Sequence, residues 1–187
     1  MLSGTGIERV VVTPRWGGTP ADDWYPWLGE QLGEPPVVRL PLPDLDAPKI
    51  DRCVSVFGGA LAEGEPSRTL CVGHSVSVQG WLRTFAANPD TRVLGLVAVA
   101  GWWSVDEPWP AIRPWIETPH DLAAIRRACP RVHVLLGTGD RFTADQARNA
   151  EIWRERLGAT VTVVEGAAHF NGGEAPEVLA AVRAGLG

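Results

Sequence analysis

The sequence predicts a three-layer α/β fold built on a mostly parallel sheet of about six strands. Short β-branched runs alternate with longer segments of helical pattern along the chain. The runs lack strict polar/apolar alternation, which is typical of parallel strands covered on both faces by crossover helices. The 187 residues, of which 45% are hydrophobic, suffice for one substantial core. We therefore expect a single domain over residues 1–187.

The predicted strands and helices alternate along the whole chain. The predicted strands cover residues 9–13, 36–40, 69–73, 93–100, 131–137 and 160–166. The predicted helices cover residues 24–32, 47–63, 75–87, 120–128, 143–157 and 174–185. Thr143 is the expected cap of the fifth helix, and Asn88-Pro89 is the expected end of the third. The one long connection, residues 101–119, carries four tryptophans and four prolines and no separate lid domain.

Composition excludes several classes of function. The net charge is −5 and the arginines are scattered, so we expect no nucleic-acid partner. The three cysteines, Cys53, Cys71 and Cys129, have neither disulfide nor zinc-ligand spacing, and no metal or organic cofactor is expected. No basic leader and no run of about 18 apolar residues occurs, so a cytoplasmic location without membrane contact is expected. A protein partner is neither indicated nor excluded.

Residues 70–80, "LCVGHSVSVQG", contain the main chemical signal. A strand ending at Gly73, a sharp turn and a following helix would expose the Ser75 hydroxyl at the carboxyl end of the sheet. In that turn the N–H of Val76 would point toward a developing oxyanion. The usual G-x-S-x-G pattern has glycine where this chain has Ser77, and serine is small enough to fit there.

A serine needs a histidine to take its proton and a carboxylate to orient the histidine. Asp140 follows the fifth predicted strand and His169 follows the sixth. Because the carboxyl ends of parallel strands share one edge of a sheet, both can approach Ser75. Asp145 is a weaker alternative acid. The other three histidines, His74, His120 and His133, receive no proton-transfer role. His74 directly precedes Ser75 and would shape the sharp turn that carries it.

The sequence resembles the small, lidless α/β-hydrolases related to retinoblastoma-binding protein 9 and bacterial YdeN. The resemblance rests on "TPRWGGTPADDWYPWLGEQL" at 13–32, "VVRLPLPDLDAP", "VGHSVS", "GTGDRFTAD" and "AAHFN", and it spans nearly the whole chain. It implies a catalytic triad of Ser75, Asp140 and His169. The first loop departs from the family pattern, with Pro14-Arg15 where relatives commonly carry His-Gly or Pro-Gly.

The first loop and the tryptophan-rich connection are expected to complete the site. The first loop should supply a second oxyanion N–H from Trp16 or Arg15, while the Arg15 side chain would either grip a substrate carboxylate or lie in solvent. Trp102, Trp103 and Trp109 are the candidate substrate-binding residues of an apolar pocket, with at least one of the first two inside it. Trp24 and Trp27 are expected to pack in the core.

Three functions are compatible with these features. The first is a serine hydrolase that cleaves a carboxylic ester or a related small-molecule acyl substrate through an acyl-enzyme. The second is an acyltransferase or cyclising enzyme that uses the same triad with another acceptor. The third is a binding module without turnover that uses the aromatic cleft to hold a ligand or partner, as the altered Ser77 and Arg15 positions permit. The fold alone does not choose among the three, because function belongs to the site.

Overall fold

The computed structural model describes residues 6–187, which form a sheet of six parallel strands with helices on both faces. The strands are β1 Arg9–Thr13, β2 Val37–Arg39, β3 Thr69–His74, β4 Gly95–Val99, β5 Val132–Gly137 and β6 Thr160–Val164. The helices are α1 Tyr25–Leu32, α2 Ile50–Ala62, α3 Val76–Ala87, α4 Arg113–Glu117, α5 Leu122–Ala128, α6 Gln146–Leu157 and α7 Pro176–Leu186. The strand order is β2-β1-β3-β4-β5-β6.

The sheet separates two apolar cores. Along β1, Val11 faces the core formed with α2, α3, α5 and α6, whereas Val10 and Val12 face the core formed with α1 and α7. Because both faces of the central strands are covered, their sequences carry no polar alternation. The predicted three-layer fold is therefore confirmed, and Trp24 is fully buried in the second core, against which Trp27 packs.

Two details of the helices differ from the sequence-based prediction. The cap of α6 is Asp145, whose carboxylate accepts a hydrogen bond from the Arg148 N–H, because α6 begins later than predicted. Thr143 is not a cap, and its hydroxyl donates to the Ser104 carbonyl at 3.1 Å. Short helix α4 lies inside the proline-rich connection and has no counterpart among the predicted helices. The end of α3 at Ala87 is as expected.

Cys53, Cys71 and Cys129 are free and buried, and burial raises the pKa of the Cys53 and Cys129 thiols to about 12. Among residues 6–187, no helix is long and apolar enough to span a membrane. Within the same range, no three His, Cys, Asp or Glu side chains are grouped so that they could hold a metal ion.

Candidate active site

The turn between β3 and α3 places Ser75 at the carboxyl edge of the sheet. Ser75 has a φ of 56° and a ψ of −118°, a backbone conformation that L-residues seldom adopt. The Ser75 N–H donates to the Val99 carbonyl at 2.9 Å, which anchors the turn to β4. A Cβ at Gly73 would lie 2.9 Å from the Val78 nitrogen, so the turn requires glycine there. The first glycine of the elbow pattern is thus sterically necessary.

Asp140 and His169 meet beside this turn. The Asp140 Oδ2 atom and the His169 Nδ1 atom are 2.7 Å apart, and both side chains are buried. The other carboxylate oxygen, Oδ1, accepts from the Phe142 N–H at 2.9 Å. With Nδ1 held by a carboxylate, the second ring nitrogen, Nε2, is the one left for proton exchange. No direct hydrogen bond joins that nitrogen to the Ser75 hydroxyl in the described part of the chain.

Close backbone packing sets the position of His169. A Cβ at Gly137, the last residue of β5, would run into the carbonyl oxygens of Ala167 and Ala168. Glycine therefore lets the loop that carries His169 cross the end of β5. The Phe142 ring packs edge-on against the imidazole with 4.7 Å between ring centroids, which restricts its rotation.

Ser75 and His169 open into the same cavity, which has a volume of about 250 Å³. Its lining is mostly apolar and is completed by Arg15, Trp16, Val76, Trp102, Val105, Trp109, Ile112, Arg141, Phe142 and Asn171. Of the three tryptophans predicted to bind substrate, Trp102 and Trp109 line this cavity. Trp103 does not, because its ring turns away and packs against Trp153 with 4.9 Å between ring centroids.

Most backbone N–H groups at the start of the first loop, from Arg15 to Gly18, already have hydrogen-bond partners. The Arg15 N–H donates to the Tyr25 hydroxyl at 3.1 Å, and the Gly17 N–H donates to the Leu45 carbonyl at 2.9 Å. The Gly18 N–H closes a turn onto the Arg15 carbonyl at 2.9 Å. From Arg15 to Gly18, the Trp16 N–H alone has no hydrogen-bond partner among residues 6–187. The expectation that Arg15 supplies an oxyanion donor is therefore corrected, since its N–H is already engaged.

The Arg15 guanidinium is also engaged. Its Nε atom lies 2.8 Å from the Asp23 carboxylate, and Nη1 donates to the Trp16 carbonyl at 3.1 Å. A guanidinium held by a nearly buried carboxylate is neither a free anchor for a substrate carboxylate nor a solvated surface group. Its contacts stiffen the first loop instead.

Ser77, at the position of the second glycine in G-x-S-x-G, fits without widening the turn around Ser75. It is fully buried, and its hydroxyl donates to the Pro14 carbonyl. This contact ties the first turn of α3 to the first loop. The departure from the glycine pattern therefore adds a hydrogen bond where glycine would leave a backbone carbonyl without this partner.

His74, directly before Ser75, occupies a buried polar position between two loops. Its Nδ1 atom is 2.7 Å from the Tyr25 hydroxyl, and its Nε2 atom is 2.7 Å from the His169 carbonyl. Burial, followed by the effect of nearby His169, lowers the pKa of His74 well below its usual value of 6.5, so the ring is neutral. A carbonyl only accepts, so Nε2 donates to it and Nδ1 accepts from the tyrosine.

The other titratable candidates lie outside the cavity. Asp145 caps α6, while His120 pairs with the Gln79 side chain at 2.9 Å. His133 lies within β5 and contacts the Thr162 hydroxyl at 2.9 Å.

Two residues that contact the site are not predicted from the sequence. Tyr25 links His74 to the first loop through its hydroxyl, and nothing in a helical sequence pattern indicates that contact. Phe142 contacts both Asp140 and His169, and its position two residues after Asp140 is the signal that could have identified it.

The parallel sheet, the strained serine turn and the position of the site at the carboxyl edge define an α/β-hydrolase fold. A family model described as "Serine hydrolase" matches residues 10–182, and the chain belongs to that family. The protein is thus a serine hydrolase. No curated protein sequence matched the chain.

Solved structures with the same fold are distant in sequence. The ydeN gene product from B. subtilis superposes with a TM-score of 0.83 at 15% identity, covering 95% of this chain and 98% of that one. The RedJ thioesterase from the prodiginine pathway of Streptomyces coelicolor has a TM-score of 0.67 at 16% identity, covering 98% and 91%. Est1E from Butyrivibrio proteoclasticus, bound to ferulic acid, has a TM-score of 0.70 at 10% identity, covering 97% and 89%. At these identities the likeness concerns the fold.

Proposed function

We propose that the protein hydrolyses a carboxylic ester, or a related activated acyl substrate, through an acyl-enzyme formed on Ser75. The observation that carries this proposal is one shared cavity. Ser75, in its strained turn, faces the same space as His169, and His169 is held by the buried Asp140 at 2.7 Å. Nucleophile, base and orienting acid are the three groups that acyl transfer by serine needs.

The reaction has two halves. His169 Nε2 removes the hydroxyl proton as Ser75 Oγ bonds to the acyl carbon, and the histidinium then gives that proton to the leaving alkoxide. In the second half His169 takes a proton from water, the hydroxide attacks the acyl carbon, and the Ser75 oxygen leaves with the proton. Asp140 orients His169 and stabilises the histidinium. The products are a carboxylic acid and an alcohol.

Two backbone N–H groups would stabilise the oxyanion in both halves. The Val76 N–H, at the start of α3, has no partner inside its own helix. Between Arg15 and Gly18, the Trp16 N–H is the donor that has no hydrogen-bond partner among residues 6–187. Because such donors are already oriented before the reaction, they stabilise developing charge more strongly than water does.

The cavity favours a small apolar acyl group. Its volume of about 250 Å³ lies just below the range of about 300–1,000 Å³ that is usual for small-molecule sites. The indoles of Trp102 and Trp109 and the side chain of Ile112 provide its apolar surface. Esters and thioesters of short acyl chains are therefore the substrates to test first.

The test is the mass of the intact protein after treatment with a fluorophosphonate. We expect one adduct in folded wild type, none in Ser75→Ala, and much slower labelling in His169→Ala. His133→Ala, which removes a histidine far from the cavity, should label like wild type. Labelling of Ser75→Ala, or no labelling of folded wild type, would overturn the proposal.

Labelled wild type then justifies a product analysis. Wild type incubated with short-chain esters and thioesters should release the free acid. Transfer of the acyl group to an added alcohol or amine in preference to water would instead indicate an acyltransferase, and labelling without turnover would indicate a binding module.

A further inference from the structure

The peptide bond between Pro14 and Arg15 is held from both sides. Its carbonyl oxygen accepts from the Ser77 hydroxyl, and its N–H donates to the Tyr25 hydroxyl at 3.1 Å. Ser77 is fully buried, as is Tyr25. Since a peptide group is planar, holding both of its polar atoms fixes the orientation of the whole group.

The next peptide bond, between Arg15 and Trp16, is fixed by the turn. Its carbonyl accepts from the Gly18 N–H at 2.9 Å, and Gly17 adopts a φ of 70° at the third position of this turn. In a trans peptide the N–H points opposite to the carbonyl. The Trp16 N–H therefore points out of the turn, and its direction depends on the held peptide before it.

We infer that the Tyr25 and Ser77 hydroxyls are positioning groups that aim the Trp16 N–H at the reacting carbonyl. This inference rests on the proposed acyl transfer at Ser75. Ser77 belongs to the same first helical turn as Val76, so its bond to Pro14 sets the two oxyanion donors relative to each other. On this inference, the serine that replaces the second glycine of G-x-S-x-G helps to position the oxyanion donors.

Tyr25 extends the arrangement to the general base. The Tyr25 O–H donates to His74 Nδ1, and His74 Nε2–H donates to the His169 carbonyl, each at 2.7 Å. Hydrogen bonds that run in one direction through a buried network strengthen one another. Loss of the Tyr25 hydroxyl should therefore disturb both the oxyanion donor and the loop of His169, whereas loss of the Ser77 hydroxyl should disturb the donor alone.

A thionoester separates positioning from stability. We would measure kcat/KM for 4-nitrophenyl butyrate and for its thiono analogue, in which sulfur replaces the carbonyl oxygen. Sulfur is a weak hydrogen-bond acceptor, so an aimed N–H favours the oxygen ester over the thionoester. Tyr25→Phe and Ser77→Ala should each lower this oxygen-to-sulfur ratio by about tenfold, part of the 10²–10³ that a lost oxyanion donor costs in kcat.

A matched control removes a buried hydroxyl elsewhere. Thr84 in α3 is fully buried and donates to the Gly80 carbonyl at 2.9 Å. Thr84→Val should lower the melting temperature and leave the oxygen-to-sulfur ratio unchanged. Ser77→Gly, which restores the usual pattern but removes the hydroxyl, provides a second variant if Ser77→Ala folds poorly, and it should lower the ratio as well.

The results distinguish failure of the positioning role from failure of the proposed acyl transfer at Ser75. Equal losses for both esters in Tyr25→Phe and in the Ser77 variants, with the wild-type ratio retained, would overturn the positioning role and leave the acyl-transfer proposal standing. Wild type that is acylated by neither ester would overturn the acyl-transfer proposal, and the inference would fall with it.

Discussion

The two edges of the sheet carry cavities of opposite character. The cavity at the amino edge is the larger, about 380 Å³ against about 250 Å³ at the carboxyl edge. It is lined by the first residues of β3 to β6 and contains one histidine, His133, which contacts Thr162. The smaller cavity collects Ser75 and His169. The loops at the carboxyl ends of the strands thus carry the candidate catalytic residues, although the cavity at the amino edge is larger.

Backbone conformation differs between the same two edges. The non-glycine residues with positive φ in the described chain all lie in segments that follow the carboxyl ends of strands: Asp23, Asp44, Ser75, Ala100 and Phe170. At the amino edge, the positive-φ positions that precede β2 and β6 are Gly33 and Gly158. Strained residues persist only where surrounding contacts hold them, and they concentrate at functional sites.

The largest expected effect tests whether the carboxyl edge alone is catalytic. Asp140→Asn keeps the shape of the side chain but can present an amide N–H to His169, which favours the wrong tautomer. We expect kcat for an ester substrate to fall by about 10⁴, as for the equivalent change in a serine-protease triad. His133→Asn at the amino edge should leave kcat unchanged. Steady-state kinetics checks both variants, and wild-type turnover in Asp140→Asn would contradict the role of the acid.

A smaller effect is expected on the way the free energy of unfolding depends on pH. Burial keeps the pKa of His74 well below 6.5, so below pH 6.5 the unfolded chain binds a proton that the folded chain does not. The free energy of unfolding should therefore fall as the pH drops from 7 to 5, by up to about 1.4 kcal/mol per pH unit from this group. Arg15 and His169 face His74 and oppose its protonation.

Urea unfolding at several pH values provides the measurement. His74→Asn should flatten this dependence, even if it lowers stability at pH 7. The pKa of the more exposed His133 is also lowered by burial, so His133→Asn should alter the pH dependence less. A pH dependence that His133→Asn flattens more than His74→Asn does would contradict this prediction.

The smallest effect is expected from relieving the backbone strain at Ser75. Glycine accepts a φ of 56° without the cost borne by a Cβ, so Ser75→Gly should be more stable than Ser75→Ala by about 1 kcal/mol. At the amino edge, Gly158 already occupies the left-handed region with a φ of 63°, and Gly158→Ala should destabilise by about 1 kcal/mol. Equal stability of the two Ser75 variants, measured by urea unfolding, would show that the turn stores no strain.

The features that the sequence predicts well are those that follow from the order of strands and helices along the chain. Alternating β-branched runs and helical segments indicate parallel strands, and residues that follow such strands must share one edge. The positions of Ser75, Asp140 and His169 along the chain are therefore enough to predict that they lie near one another. The tryptophan-rich connection also approaches the cavity as expected, through Trp102 and Trp109.

The remaining features depend on contacts between distant residues, which spacing does not encode. The Ser77 hydroxyl meets a carbonyl 63 residues away, and Tyr25 meets a histidine 49 residues away. Trp103 follows Trp102 directly, yet in an irregular loop nothing indicates which of two adjacent rings turns inward. The sequence leaves the Arg15 N–H as a possible oxyanion donor, because the tyrosine hydroxyl that engages it lies on the next helix.

The bond between Ser77 and Pro14 has a practical consequence for redesign. Because the buried Ser77 side chain joins α3 to the first loop, a change in either one alters the position of the other. A library that varies Arg15 or Trp16 to alter the acyl cavity should therefore vary Ser77 together with them. Transplanting the loop of a relative with glycine at position 77 would bring in a segment adapted to a different neighbour.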